Sequence, residues 1–289
     1  MSLRSLHFGF QCGALQENTT VLVQLTDPHI VAPGRLLMDR IDTPALLASA
    51  VASVRALQPP ATAVVLTGDL VDRGNADEYA HLQRLLEPLT CPVWLMPGNH
   101  DSVAAMRLAF PDHTELRPVN DEALSPYVLW VREVAGMRLI ALDTVVAGAA
   151  HGSLCEHRLA WLDRTLGVEP QQPTIVAMHH PPFATGIGHM DGIGLREGFD
   201  ALADVLRRHP QVERVICGHL HRPIVRRFGG TIAMTVPSTA HQIVLDLRTD
   251  GPPAYRREPP GYALHAIVGG TVVTHGANVG EYGPAELYA

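Results

Sequence analysis

Cysteine is scarce in this 289-residue chain. There are four, Cys12, Cys91, Cys155 and Cys217, far apart and with no C-x-x-C pair, so they read as reduced thiols of a cytoplasmic protein. Basic charge is also short: 22 Lys and Arg against 29 Asp and Glu leave a net charge of -7. That argues against a nucleic-acid polymer as partner, since such surfaces carry a basic patch. No apolar run approaches the roughly 20 residues a membrane helix needs, so no membrane span is expected. The opening MSLRSLHFGFQCGALQENTT lacks a long apolar core followed by a small-residue cleavage site. It reads as a flexible extension over 1–20. Neither an internal repeat nor a low-complexity linker follows, and 46% hydrophobic residues are ample for one sizeable core. Residues 21–289 are expected to form a single domain.

Histidine is what the chain has in excess, with 16. Their placement follows from the strands. Short β-branched apolar runs occur at Val21–Val23, Ala63–Leu66, Val93–Leu95, Leu139–Leu142, Thr174–Ala177 and Val215–Ile216. Helical spacing lies between many of them. Thr43 followed by Pro44 predicts a helix start, and Asn75 with Glu78 resembles a capping box. Leu159, Leu162 and Leu166 mark a third helix, and Phe199, Leu202 and Leu206 a fourth. Alternating strand and helix predicts an α/β domain. After about residue 225 only strand and hairpin patterns remain, around Ile232, Ile243, Ala263–Val268 and Thr271.

In open α/β sheets, ligands bind beyond the carboxyl ends of the strands. Five apolar runs here lead directly into polar groups: Thr26-Asp27-Pro28-His29, Gly68-Asp69-Leu70-Val71-Asp72-Arg73-Gly74, Gly98-Asn99-His100-Asp101, His179-His180-Pro181-Pro182 and Gly218-His219-Leu220-His221. Any one fragment reads most simply as a turn or a buried histidine. All five at strand ends are hard to ascribe to turn chemistry, which has no special use for histidine. Imidazole mixed with carboxylate and amide oxygens suits Fe, Mn or Zn better than Ca or Mg. Seven side chains are too many for one such ion with an open position. Two ions sharing a carboxylate fit the count, an arrangement that clamps the oxygens of an in-line phosphoryl displacement.

The order D-x-H, G-D-x-x-D-R-G, G-N-H-D, H-H-P-P, G-H-x-H, from Val21 to His221, resembles the calcineurin-like metallophosphoesterase superfamily. Within it the chain is most similar to class III cyclic-nucleotide phosphodiesterases and bacterial glycerophosphodiesterases. The resemblance implies a four-layer αββα sandwich of two packed mixed sheets, with 226–289 completing the second sheet. It implies that Asp27, His29 and His221 hold one divalent transition-metal ion, that Asn99, His179 and His219 hold the other, and that Asp69 bridges. His179 is preferred to His180 because the superfamily's ligand stands two residues before the proline, here Pro181. Purple acid phosphatases carry a tyrosine ligand and lack the first-strand histidine, so His29 points away from them. Asp101 departs from the glutamate many relatives carry after N-H. Ser/Thr protein phosphatases share the G-D-x-x-D-R-G and G-N-H fragments but not a late G-H-x-H.

The expected activity is hydrolysis of a small phosphodiester, 3',5'-cyclic AMP or another cyclic nucleotide, by in-line attack of a metal-bound hydroxide. A glycerophosphodiester or promiscuous diesterase is the alternative within the same chemistry. A phosphomonoesterase shares the metal core. A non-catalytic scaffold would be marked by lost ligands, and all seven are present. His100 is the candidate acid for the leaving oxygen. Asn99, His100 and, in the Gly-rich 183–198 loop, His189 are candidate substrate contacts. Asp72 and Asp101 are read as carboxylates supporting the ligands, and Arg73 as an anchor for a loop or an acid. The late hairpins could serve a homo-oligomer.

Overall fold

The computed structural model describes residues 20–134, 136–284 and 286–287. The extension expected over 1–20 therefore lies, but for Thr20, outside the described residues. In chain order the elements are β1 (Val21–Leu25), α1 (Thr43–Arg55), β2 (Ala63–Thr67), α2 (Ala76–Leu86), β3 (Val93–Met96), α3 (Val103–Ala109), β4 (Leu129–Val134) and β5 (Met137–Leu142). Next come β6 (Gly152–Ser153), α4 (Glu156–Val168), β7 (Thr174–Met178), α5 (Gly188–Asp191), β8 (Leu195–Glu197), α6 (Phe199–Arg208) and β9 (Val212–Cys217). The tail holds β10 (Ile224–Phe228), β11 (Thr231–Thr235), β12 (Gln242–Ile243), β13 (Tyr255–Arg256), β14 (Gly261–Val268) and β15 (Thr271–Asn278).

Two mixed sheets carry the fold. The first has five strands in the order β15-β14-β1-β2-β3, and the second six in the order β10-β11-β9-β7-β5-β4. Strands β1, β2 and β3 run parallel, as do β5, β7, β9 and β11, with antiparallel strands at the edges. The period of two in the second sheet separates the layers. Leu139, Ala141, Ile175 and Ala177 join the core shared with the first sheet and with α1 and α2. Their neighbours Ile140, Leu142, Val176 and Met178 pack with Leu159, Leu162, Leu166, Leu202 and Leu206 of α4 and α6. The result is helix, sheet, sheet, helix: the αββα sandwich.

The tail does not simply complete the second sheet, as expected. It is shared out: β10 and β11 extend the second sheet, while β14 pairs antiparallel with β1 of the first and β15 with β14. Gly269 and Gly270, both at positive φ, make the tight β14–β15 turn, and Val21↔Ala266 through Gln24↔Ala263 fix the register against β1. The start of α1 also shifts by one residue. Asp42, not Thr43, caps it, accepting from the Ala45 amide at 3.1 Å. The Thr43 hydroxyl instead donates to the His29 carbonyl at 2.9 Å, which ties the helix to the loop after β1. Glu78 does reach back to the Asn75 amide at 3.0 Å, as the sequence suggests.

Leu139 is fully buried between the sheets, whereas Leu108 on α3 is 84% exposed. Leu139→Ala should cost about 2–5 kcal/mol in urea unfolding, from lost transfer energy plus a cavity. Leu108→Ala should stay within about 0.5 kcal/mol. Equal effects at the two sites would contradict the layer assignment.

Candidate metal and catalytic site

All five polar fragments meet at the carboxyl ends of β1, β2, β3, β7 and β9. Backbone bonds lock neighbouring loops together: the Asp27 amide donates to the Gly68 carbonyl (3.1 Å) and the His29 amide to the Asp69 carbonyl (3.0 Å). Asp27, His29, Asp69, His219 and His221 all have positive φ, between 43° and 69°. This left-handed kink at a strand end turns the side chain back over the sheet rather than onward along the strand. Asp and His tolerate that region better than most residues. Two glycines permit the approach. A Cβ on Gly98 would strike the amide and carboxylate of Asp69, and one on Gly218 would strike the Thr26 hydroxyl.

Asp27, His29, Asp69 and His221 bring donor atoms within 4.8 Å of one another, and all are buried. His29 Nε2 lies 3.2 Å from His221 Nε2 and 3.7 Å from Asp69 Oδ2, and His221 Nε2 lies 3.3 Å from Asp27 Oδ1. On the other side of Asp69, His179 Nε2 is 3.4 Å from Oδ1 and 3.1 Å from the Asn99 side-chain oxygen. His219 is buried with its Nε2 unpartnered among the described residues.

The far nitrogens explain why these rings point inward. His179 Nδ1 faces the Thr67 carbonyl at 2.9 Å, and His221 Nδ1 the His241 carbonyl at 2.8 Å. Such bonds fix the tautomer that leaves Nε2 free to bind a cation. The carboxylates are held equally firmly. Asp27 accepts from the Thr26 hydroxyl (2.6 Å) and from the His219 amide (3.0 Å), and Asp69 from the His100 amide (2.9 Å). Behind Thr26 a buried chain runs through Thr67, Gln24 and His265 to Thr274 on β15. The donor set fits divalent transition-metal ions. Two buried carboxylates with no lysine or arginine partner among the described residues stand beside imidazole nitrogens, and His219 Nε2 is left unpartnered.

His180 joins the same spatial group as His179 and His219. Both of its ring nitrogens are engaged, however, by the Thr144 hydroxyl at 2.8 Å and the Ala150 carbonyl at 3.2 Å. It therefore has no lone pair to offer. Asp101 accepts from the Gly98 and Leu70 amides and the Tyr79 hydroxyl, so it staples two loops rather than orienting a histidine. Arg73 is exposed and pairs with Asp72 at 3.3 Å.

A cavity of about 200 Å³ opens over the donors. Asn99 and His100 are among the residues that line it. His189 is not. The wall on that side is formed by Met190 and Ile193. The cause is the helical turn α5: within a single turn, Met190 and its predecessor cannot share a face. His241, which nothing in the sequence spacing marked, also lines the cavity. Its ring is 4.6 Å from that of His221, and its Nδ1 is buried without a partner among the described residues. A signal existed: Val236-Pro-Ser-Thr-Ala-His241 follows the end of β11, a sixth strand end.

Electrostatics divide the histidines. Burial alone would raise the Asp27 carboxyl, but His221 and His179 hold it at about 2, and His179 does the same more strongly to Asp69. Burial works against protonating His179, yet Asp69 outweighs it and lifts the imidazole to about 9. Burial pushes His219, His241 and His265 down to about 3, and His29 and His180 well below their ordinary value.

The chain belongs to the calcineurin-like phosphoesterase family, whose model matches residues 20–223. A probable glycerophosphodiester phosphodiesterase, GpdQ, of Arcobacter nitrofigilis is 33% identical over 270 residues, covering 93% of this chain and 97% of its own. A probable cyclic nucleotide phosphodiesterase of Rhodopseudomonas palustris is 35% identical over 91% of this chain and 93% of its own. The 3',5'-cyclic adenosine monophosphate phosphodiesterase CpdA of Pseudomonas aeruginosa is 31% identical over 78% of each. A dimetal phosphatase from Danio rerio shares the fold, with a TM-score of 0.66 at 16% identity over 91% of this chain and 97% of that one. Among the described residues no helix is long and apolar enough to cross a membrane.

With chelator present, the protein's stability should peak near neutrality. The five histidines of depressed pKa take up protons only on unfolding. Their contribution is therefore present above about pH 6.5 and is lost below it, at up to about 1.4 kcal/mol per pH unit each. His179 acts oppositely: its contribution is present below about 6.5 and is lost as pH rises through about 9. Melting temperatures should fall on both sides, more steeply in acid. A flat profile from pH 5 to 7 would refute the neutral, buried state of these rings.

Proposed function

We propose that this chain is a binuclear metal-dependent phosphodiesterase acting on a small diester, with 3',5'-cyclic nucleotide as leading substrate. Asp27, His29 and His221 would hold one ion, Asn99, His179 and His219 the other, with Asp69 between them. The observation that carries this reading is the convergence of buried donors on both sides of Asp69. Divalent ions there would polarise the phosphoryl oxygens and supply a water nucleophile at neutral pH.

The chain's own residues do the rest. His100 Nδ1 donates to the Asp72 carbonyl at 2.7 Å, which leaves Nε2 to act on the substrate. Burial disfavours the charged ring, but Asp69 and Asp72 outweigh it and raise its pKa. The raised pKa favours the protonated ring that a general acid for the leaving oxygen requires. Its ring stands edge-on to His29 at 4.7 Å, at the margin of the cavity. His241, also lining the cavity, is kept neutral by burial, and its Nδ1 can hydrogen-bond a phosphoryl oxygen or an ester hydroxyl. The donors' second bonds, to Thr67, His241 and Thr26, fix their orientation before substrate arrives.

Met38, Met190, Ile193 and Ile243 form an apolar side of the cavity, which suits the face of a nucleobase better than a glycerol. The second reading, a glycerophosphodiester, rests on the likeness to GpdQ, 33% identical over 93% of this chain.

Protein reconstituted with manganese should turn over cyclic AMP, a glycerophosphodiester and bis-p-nitrophenyl phosphate, with cyclic AMP giving the highest kcat/KM. Chelation should abolish all three activities. Cleavage of p-nitrophenyl phosphate alone would overturn the diesterase reading. His100→Ala should lower kcat by about 10²–10⁴ while metal content, measured by elemental analysis, is retained. Unchanged kcat would reduce His100 to a partner of Asp72.

A further inference from the structure

A second cavity, of about 680 Å³, lies on the other side of the loop 144–154, lined among others by Tyr127, Asp143, Ser153, Cys155 and Arg158. It is large enough for a small organic ligand. Cys155 is half-buried at the N-cap of the 13-residue helix α4, a position that usually takes Ser, Thr, Asp or Asn. Arg158, one turn on, is 2% exposed. Its Nη1 donates to the Asp143 carbonyl at 2.9 Å, and its guanidinium lies 4.0 Å from the centre of the Tyr127 ring. Its Nε has no hydrogen-bond partner among the described residues. A buried guanidinium N–H left unpaired costs on the order of 1–3 kcal/mol, which an anion beside it removes. Asp143 shares this pocket and its charge acts on the Arg158 guanidinium, but neither it nor Asp101 hydrogen-bonds Nε. Asp143 is engaged by the Val128 and Val145 amides, and Asp101 by those of Gly98 and Leu70.

We infer that Cys155 is a nucleophilic thiol-exchange site that takes small anionic disulfides into this cavity, with Arg158 as the counter-charge. The Cys155 proton is lost to solvent, and Sγ attacks one sulfur of the disulfide. A new S–S bond forms, the old one breaks, and the second sulfur leaves as a thiolate with the bonding pair. Added thiol reverses the step. Burial raises the Cys155 thiol, but the Arg158 guanidinium and the first amides of α4 bring it below its ordinary value. The other two described cysteines are pushed up by burial.

The site is wired to the catalytic cavity. Within the loop, the Thr144 hydroxyl and the Ala150 carbonyl hold both nitrogens of His180, next in sequence to His179, and Ala150 lines the catalytic cavity. Gly152 lies so close to the His180 ring that a Cβ would strike it. An adduct at Cys155 pushes on this loop from behind. This coupling rests on the proposed phosphodiesterase activity, whereas the exchange itself does not.

The test uses the manganese-loaded full chain with Cys12→Ser. Glutathione disulfide, a small anionic probe, and cystamine, a cationic one, are compared by peptide mass mapping. Cys155 should acquire the glutathione adduct at least about tenfold faster than Cys91, and faster than it reacts with cystamine. Hydrolysis of bis-p-nitrophenyl phosphate should fall several-fold and recover with dithiothreitol, and Cys155→Ser should keep its turnover and ignore the disulfide. Equal labelling of Cys91 and Cys155 would overturn the site, faster reaction with cystamine would overturn the role of Arg158, and an adduct without loss of turnover would overturn the coupling. The mapping needs only the wild-type Cys155, so it decides even where a variant misfolds.

Discussion

Five of the converging side chains reach their common centre only because the backbone beneath them is left-handed. Asp27, His29, Asp69, His219 and His221 sit at φ values of 50°, 43°, 48°, 69° and 50°. Each costs about 1–2 kcal/mol relative to a right-handed residue. A strand left to itself would throw successive side chains to opposite faces of the sheet. The kink breaks that alternation where the sheet ends and aims the side chain across the gap between the two sheets. Surrounding bonds hold each kink in place: the amides of Asp27 and His29 on the neighbouring loop, the Thr43 hydroxyl on the His29 carbonyl, and the Ser238 hydroxyl on the Asp27 carbonyl at 2.8 Å. Strain of this kind persists only where its surroundings over-determine it, and it clusters at functional sites.

The same constraint gathers charge where water cannot screen it. Asp27 and Asp69 are 0% and 2% exposed, and no lysine or arginine pairs with either among the described residues. Their ionisation is sustained by imidazoles, His221 for Asp27 and His179 for Asp69. Asp69 faces both donor groups, one carboxylate oxygen toward His29 and the other toward His179. It is the position from which one charge acts on both halves of the site. The two sheets therefore do more than bury apolar surface: their packing brings a carboxylate from the first within reach of histidines from the second.

Much of this was legible in the sequence, and the reasons differ from element to element. The strands β1, β2, β5 and β7 are buried on both faces, so they read as unbroken apolar runs, and the polar fragments following them stood out. Leu159, Leu162 and Leu166 announced α4 because one face of that helix meets the core. Sheet membership of the tail was not legible. Nothing local in Ala263–Val268 distinguishes pairing with β1 from pairing with β11, because strand partnership is a long-range choice. Phe199 broke its expected stripe, standing 40% exposed at the first residue of α6. His241 was missed for a related reason. It follows β11 by six residues, and only the fold of the segment Val236–His241 brings its ring to 4.6 Å from His221.

The histidine excess has a physical explanation that joins the site to the fold. A buried lysine or arginine beside Asp27 or Asp69 would neutralise the carboxylates permanently and close the centre to any other cation. Imidazole does not. It can carry a proton, as His179 does under the field of Asp69, or give it up and present a lone pair. Five other rings are held neutral by burial, so they add no positive charge near the carboxylates across the neutral range. His265 extends this economy beyond the donors: uncharged, it can sit between Gln24 and Thr274 and pass a fixed hydrogen-bond polarity toward Thr26 and Asp27. A charged residue at that place would have to be solvated, and β14 could then not lie flat against β1. The pairing that closes the first sheet and the chemistry at its end thus draw on the same property of one side chain, its readiness to be buried without a charge.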